Sequence, residues 1–328
     1  MLRNDSVVTG VWWGENPDLV GLSPLQCLDL IVEYCGQVGM RIVLDRHSSL
    51  SNNFIEESYW YIPGDSYYTE ERYIQDWVFL AKRYRNTAII AADLWNEPKI
   101  NATWGTGILS TDWRLAAERV GNAIQAVNPD WLLVVEGIGG ATWWGGDLSL
   151  AGQYPVRFKI PNKLVYSVHE YCEDVSKQAW FSNTTVPPFP ASLRKHWDSN
   201  FGYLVREKIA PVYIGEYGTR FAHPTDYIWL PLWVNYTNGQ YTSDGVNDLL
   251  PGQTGLSWTF WALNPGGDTG GILEDDWTTA DEFKLSFIRK AMAPMLPTLS
   301  TAIPGVGVNY SATYSPAVSP TASSSRVR

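Results

Sequence analysis

Six short apolar runs, most of them separated by amphipathic helical stretches, constrain the fold of this chain more than any other feature. Repeated strand and helix patterns of this kind build a parallel sheet with helices packed outside it. The strand runs are Met40 to Asp45, Ile89 to Leu94, Leu132 to Val135, Leu164 to Val168, Val212 to Ile214 and Leu256 to Trp261. Helical periods cover Ser23 to Cys35, Glu70 to Tyr84, Asp112 to Val127, Ser192 to Glu207 and Ala280 to Met292, with a long connection from Thr219 to Gly255.

A closed (β/α)8 barrel of roughly 250 residues fits within the 328 present. Such a barrel needs eight strands, and ahead of the first helix only Val7 to Trp13 offers strand material. The expectation is an α/β TIM barrel over residues 1–296 that lacks its first two strands. Residues 297–328 are rich in Pro, Ser, Thr, Ala and Val, hold no Asp or Glu, and read as a disordered tail or linker.

The formal charge of −10, with no Lys/Arg run, excludes a nucleic-acid backbone as a natural partner. No apolar stretch approaches the ~20 residues of a membrane span. Cys27 and Cys35 lie eight residues apart in one predicted helix, about 12 Å along its axis, too far for a disulfide. They and Cys172 read as free buried thiols. The start, Met1-Leu2-Arg3-Asn4-Asp5-Ser6, is not a signal peptide, yet sequons at Asn4, Asn101, Asn183, Asn235 and Asn309 favour secretion.

Two strand runs end in carboxylates. Trp95-Asn96-Glu97-Pro98 closes the second run, and Gly215-Glu216-Tyr217-Gly218 closes the fifth. Two acids at the ends of two parallel strands suit hydrolysis of a glycosidic bond, which takes a proton donor and a nucleophile or base. Other strand-end motifs are Asp45-Arg46-His47, His169-Glu170-Tyr171 and Trp258-Thr259-Phe260-Trp261.

Together these motifs resemble the barrel-tip motifs of glycoside hydrolase family 5. The stretches Asp112 to Arg119, Trp143-Trp144-Gly145-Gly146, Ala151 to Val156 and Gly267 to Leu273 are similar to those of its secreted β-1,4-endoglucanases. The resemblance runs from about Leu19 to Pro297. It implies two further strands at the front, the second ending in an arginine that supports the nucleophile. Arg3 has no strand ahead of it and does not take that role. Met1 then reads as an internal methionine of a longer, extracellular protein whose signal peptide lies upstream. The chain expressed as written is expected to be poorly soluble or inactive.

On this reading Glu97 is the general acid/base and Glu216 the nucleophile, with carboxyl groups about 5 to 5.5 Å apart. The resemblance makes Asn96 a donor to the sugar 2-hydroxyl, Tyr171 a hydrogen-bond donor to Glu216, and His169 the partner of Glu97. Strand alternation turns Glu170 away from that face. Glu136 ends a strand without a motif of its own and is read as positioning a neighbour. His47, on the face of Asp45, and Trp261, a stacking platform, are read as sugar contacts. Trp143 and Trp144 are further candidate contacts, weighed evenly against core positions, as is Trp60.

No cofactor is implied, and four histidines scattered over different elements (His47, His169, His196, His223) do not suggest a metal centre. The expected substrate is cellulose or mixed-linkage β-glucan cut internally by a monomer. A β-mannan hydrolase is the alternative within the fold, and an inactive fragment or non-catalytic sugar binder the alternative outside it.

Overall fold

The computed structural model describes residues 6–50, 57–99, 101–139, 144–242, 244, 246–249, 253–267 and 269–292. Trp143, Arg3 and the whole 297–328 tail lie outside the described residues. No described helix is long and apolar enough to cross a membrane.

A six-stranded, wholly parallel sheet forms the centre, its strands ordered β1 to β6 as they occur in the chain. They are β1 Ile42–Asp45, β2 Ile89–Asp93, β3 Leu132–Glu136, β4 Leu164–Tyr171, β5 Val212–Gly218 and β6 Ser257–Trp258. Sequential order with all strands parallel is the winding of a (β/α)8 barrel, and the described residues hold six of its eight strands. β6 is regular for two residues only, but its ladder continues, because Thr259 N donates to Ile214 O (2.9 Å) and Trp261 N to Tyr217 O (2.9 Å).

Helices α1 Pro24–Gln37, α2 Glu70–Arg83 and α3 Trp113–Gln125 cover the first strands. α1 starts with a capping box, in which the Ser23 side chain accepts from Gln26 N and the Gln26 side chain accepts from Ser23 N. α2 is capped by Thr69, with Glu70 and Glu71 in its first turn and Lys82 and Arg83 in its last, matching the helix dipole. Arg83 Nε donates to Asp29 (2.8 Å), tying α2 to α1, and Arg119 Nη2 donates to Glu70 (2.8 Å), tying α3 to α2. Trp60, Trp113, Tyr84, Ala117 and Val120 are buried in the hydrophobic core that sheet and helices share. Trp60 is therefore a core residue.

Residues 7–13, the sole strand material ahead of α1, form no strand; Trp12 opens a turn, its carbonyl accepting from Glu15 N and Asn16 N, and is 77% exposed. Two sequence readings of the elements change. The helical stretch near residues 192–207 is broken into α4 Ala191–Trp197, a π-helical turn Asp198–Gly202 and α5 Tyr203–Arg206. The connection from Thr219 to Gly255 contains a full helix, α6 Asp226–Thr237. Its core, Trp229 to Val234, is apolar on every side and interrupted by Pro231, so no amphipathic period marks it. α7 Glu282–Ile288, capped by Asp281, and a 3-10 turn Arg289–Ala291 close the described chain. Cys35 and Cys172 are buried thiols, but Cys27 is half-exposed.

Candidate active site

The C-terminal strand ends gather the chemistry. Beyond β2, Leu94 N donates to Val134 O (3.1 Å). The Leu94 carbonyl accepts from Tyr73 Oη (2.7 Å) and Trp77 Nε1 (3.1 Å) of α2. Asn96 N then donates to Arg46 O (3.1 Å). These bonds fix the chain just before Glu97, whose backbone lies in the left-handed region at φ 45°. That conformation is uncommon outside glycine and is kept where the surroundings over-determine it. Here the Glu97 N–H donates to Glu136 Oε2 at 2.8 Å. Its carboxylate, buried with Asn96, meets His169 Nδ1 at 2.9 Å and Lys99 Nζ at 3.7 Å.

Glu216 arrives by a β-bulge. β4 and β5 pair Val168 with Ile214, then His169 with Glu216, so Gly215 is passed over. Simple alternation from Ile214 would turn Glu216 toward the helices; the extra residue turns it inward beside His169 and Tyr171. Only a glycine fits at the bulge, because a Cβ at 215 would lie 2.8 Å from both His169 Nε2 and Ser167 Oγ. Tyr171 Oη donates to Glu216 Oε2. One carboxylate oxygen of Glu97, one of Glu216 and a ring nitrogen of His169 all lie within 4.8 Å of one another. Glu170 faces the other way, accepting from Trp197 Nε1 (2.9 Å) and Trp229 Nε1 (3.5 Å) in the outer core.

Electrostatics follow from this crowding. Burial works against a charge on His169, but Glu136, Glu216 and Glu97 outweigh it and hold its pKa well above the usual histidine range. Burial pushes Glu97 up, yet the hydrogen bond and charge of His169, aided by Lys99 and His47, bring it below the ordinary value. Burial and the charge of Glu97 raise Glu216, against the pull of His169, Tyr171 and His47. Burial raises Asp93 and Glu136 well above the ordinary carboxylate value, against the downward pull of the His169 charge on both.

At the mouth, His47 Nδ1 pairs with Asp45 Oδ2 at 2.7 Å. Burial depresses the His47 pKa, but Asp45, with Glu216 and Glu97, more than offsets it and the net shift is upward. The His47 ring stacks on Trp261, centroids 5.7 Å apart and planes 9° apart, and Trp261 is 41% exposed. Trp144 packs edge-on against Tyr171 at 5.2 Å.

Lys99, Asp93 and the bulge at Gly215 had no place in the sequence reading. A lone glycine inside a strand was the available signal for the bulge. Among the described residues three groups bring His, Cys, Asp or Glu ligand atoms within 4.8 Å: Glu97–His169–Glu216, Cys172–Asp174–Asp226 and Asp45–Asp93–Glu136.

A parallel barrel with paired glutamates at its C-terminal strand ends, flanked by exposed aromatic rings, is the frame of a carbohydrate-active protein. The model of the cellulases, glycosyl hydrolase family 5, matches residues 6–267. An endoglucanase of Paenibacillus polymyxa is 43% identical over 297 residues, covering 88% of this chain and 70% of that protein. The major extracellular endoglucanase of Xanthomonas campestris pv. campestris is 34% identical over 300 residues, 88% of this chain and 57% of its own length. An endocellulase from Pyrococcus horikoshii, solved in complex with cellotetraose, superposes with a TM-score of 0.77 at 34% identity, over 89% of this chain and 80% of that one. This chain belongs to glycosyl hydrolase family 5, the cellulase family. It spans little more than half of several relatives, 52% of two endoglucanases of Acetivibrio thermocellus among them.

Proposed function

We propose that the chain carries the catalytic barrel of a retaining endo-β-1,4-glucanase acting on cellulose or mixed-linkage β-glucan. The observation that carries this reading is the approach of Glu97 and Glu216, with one oxygen of each within 4.8 Å. Retaining enzymes set their carboxyl groups about 5–5.5 Å apart, whereas inverting ones leave about 6.5–9.5 Å for a water.

In the first step the Glu216 carboxylate attacks the anomeric carbon while Glu97 gives its proton to the leaving glycosidic oxygen, producing a glycosyl ester on Glu216 and a shortened chain. In the second, ionised Glu97 takes a proton from water as that water displaces Glu216. Two carboxylates this close repel, so the pair retains one proton, and the reactive arrangement has it on Glu97. Tyr171 favours that arrangement by donating to Glu216. His169 opposes it, favouring the ionised Glu97 required in the second step. Asn96 donates to the 2-hydroxyl, and Trp261 with His47 forms the apolar wall for a pyranose. Trp144, edge-on against Tyr171, offers a further ring to the sugar chain. The exposed asparagines of three sequons, Asn101, Asn183 and Asn235, are in keeping with a secreted protein.

The test is the anomer first released from a soluble cello-oligosaccharide, read by proton NMR before mutarotation. The β anomer is expected. First release of the α anomer would overturn the retaining mechanism.

A further inference from the structure

We propose that Glu136 is a positioning residue for the acid/base, holding the Glu97 main chain in its left-handed turn with one carboxylate oxygen while the other orients His169 toward the Glu97 side chain. This deepens the assignment of Glu97 as acid/base and rests on it.

Four observations converge. Glu136 is fully buried at the end of β3, where nothing of a substrate can touch it. Its Oε2 accepts from the Glu97 N–H at 2.8 Å, the bond next to the φ of 45°. Its Oε1 faces His169 Nε2 at 3.4 Å, and the opposite ring nitrogen of His169 bonds Glu97 Oε1 at 2.9 Å. Glu136 therefore reaches Glu97 by two routes, once through its backbone and once through an imidazole. Finally, the loop after β3 folds back onto the same oxygen: a Cβ added to Gly145 would lie 2.5 Å from Glu136 Oε2 and 3.5 Å from the Glu97 Cα. Trp113 of α3 anchors the base of this arrangement by donating from Nε1 to the Glu136 carbonyl (2.9 Å).

The groups facing His169 decide its charge. They are Asp93 and Glu97 from β2 and its extension, Glu136 from β3, and Glu216 from β5. Lys99 and His47 act on Glu97 from the loop after β2 and the end of β1. Converting Glu136 to glutamine keeps an oxygen for the Glu97 N–H and removes the carboxylate opposite Nε2. Glu136 and His169 support each other's charge across that 3.4 Å approach, each against the burial that opposes it, so without the carboxylate the imidazolium is less favoured and its pull on Glu97 weakens. Glu97 then holds its proton to higher pH.

The experiment follows Glu136→Gln, Glu136→Ala and Gly145→Ala. In Glu136→Gln the His169 resonance, one of four histidines, titrates at lower pH, and the alkaline limb of the kcat profile on β-glucan moves up by about one pH unit. Glu136→Ala and Gly145→Ala disturb the backbone anchor and lower kcat on β-glucan by about a hundredfold with KM nearly kept. For aryl glycosides with acidic leaving groups kcat/KM, which reports the first step and needs no proton there, is much less affected. A packing role alone would lower both substrates together and leave the pH limb in place. The histidine titration is read on the folded protein, so it decides the matter even if the alanine variants do not fold. An unshifted His169 together with an unshifted alkaline limb in Glu136→Gln overturns the proposal. Unimpaired turnover of β-glucan by Glu97→Ala would instead overturn the acid/base assignment itself.

Discussion

The His47 imidazole and the Trp261 indole lie parallel, 9° apart with centroids 5.7 Å apart, although they follow β1 and β6, the two outermost strands of the sheet. Six parallel strands twist enough to bring those ends together at the catalytic face. The stacked pair joins the two edge strands of the described sheet at that face and presents an aromatic wall there.

The wall yields the first prediction. Trp261→Ala removes the indole face and the support of His47 but leaves Glu97 and Glu216 in place. KM for cellotetraose is expected to rise about tenfold, equivalent to ~1.4 kcal/mol, with kcat changed far less. Steady-state kinetics decides it; a fall in kcat at constant KM would place Trp261 in the chemistry rather than in binding.

A second prediction concerns division of labour. Glu97→Ala and Glu216→Ala should each lower kcat on β-glucan by about 10²–10⁴-fold or more. With an activated aryl glycoside and added azide, Glu97→Ala should recover activity and release a β-glycosyl azide, because the small anion attacks the ester on Glu216. Product configuration by NMR is the readout. A β-glycosyl azide from Glu216→Ala would reverse the two roles.

Much of this site could be read from residue order. The Asn96-Glu97 pair sits where an apolar run stops, and His169 and Tyr171 alternate on one strand face. Glu216 could not be placed so simply. Its inward direction depends on a bulge at Gly215, which breaks the two-residue period that sequence reading relies on. α6 was hidden for the opposite reason: Trp229, Leu230, Trp233 and Val234 are buried and the intervening residues are apolar too, so neither face declared itself. Asp93 and Lys99 gave no local signal, since their proximity to the site comes from sheet register and from a loop.

The bulge makes its own prediction. In Gly215→Ala the new methyl meets His169 Nε2 and Ser167 Oγ, each at 2.8 Å, and both side chains are buried on the paired strand β4. Overpacking of this kind costs about 1–3 kcal/mol of stability. Displacement of His169 and Glu216 should also cost about a hundredfold in kcat. Thermal midpoints and turnover on β-glucan test both; parent-like turnover would show that the close approach at Gly215 does not position the site.

The last prediction lies on the outer face of β4. Glu170 is buried among the rings of Trp197 and Trp229, whose indole N–H groups donate to it, and burial pushes its pKa up to about 8 from an ordinary 4.5. A carboxyl group with a raised folded pKa stabilises the fold fully below its unfolded value, and that contribution drains away as pH rises toward the folded one. For Glu170 the loss therefore runs from about pH 4.5 to about pH 8, then levels off. Its upper limit is about 5 kcal/mol. Glu170→Gln keeps an acceptor for both indoles and has no proton to lose. The variant should match the parent near pH 4.5 and exceed it by roughly 10 °C in thermal midpoint near pH 8, since ~2–4 °C accompanies each kcal/mol in a domain of this size. Taking the difference between variant and parent cancels the other titrating groups, so the pH trend isolates Glu170. A difference that stays constant from pH 5 to pH 9 would mean that the carboxyl group is ionised in the fold throughout that range, with water or a cation reaching it between the two tryptophans.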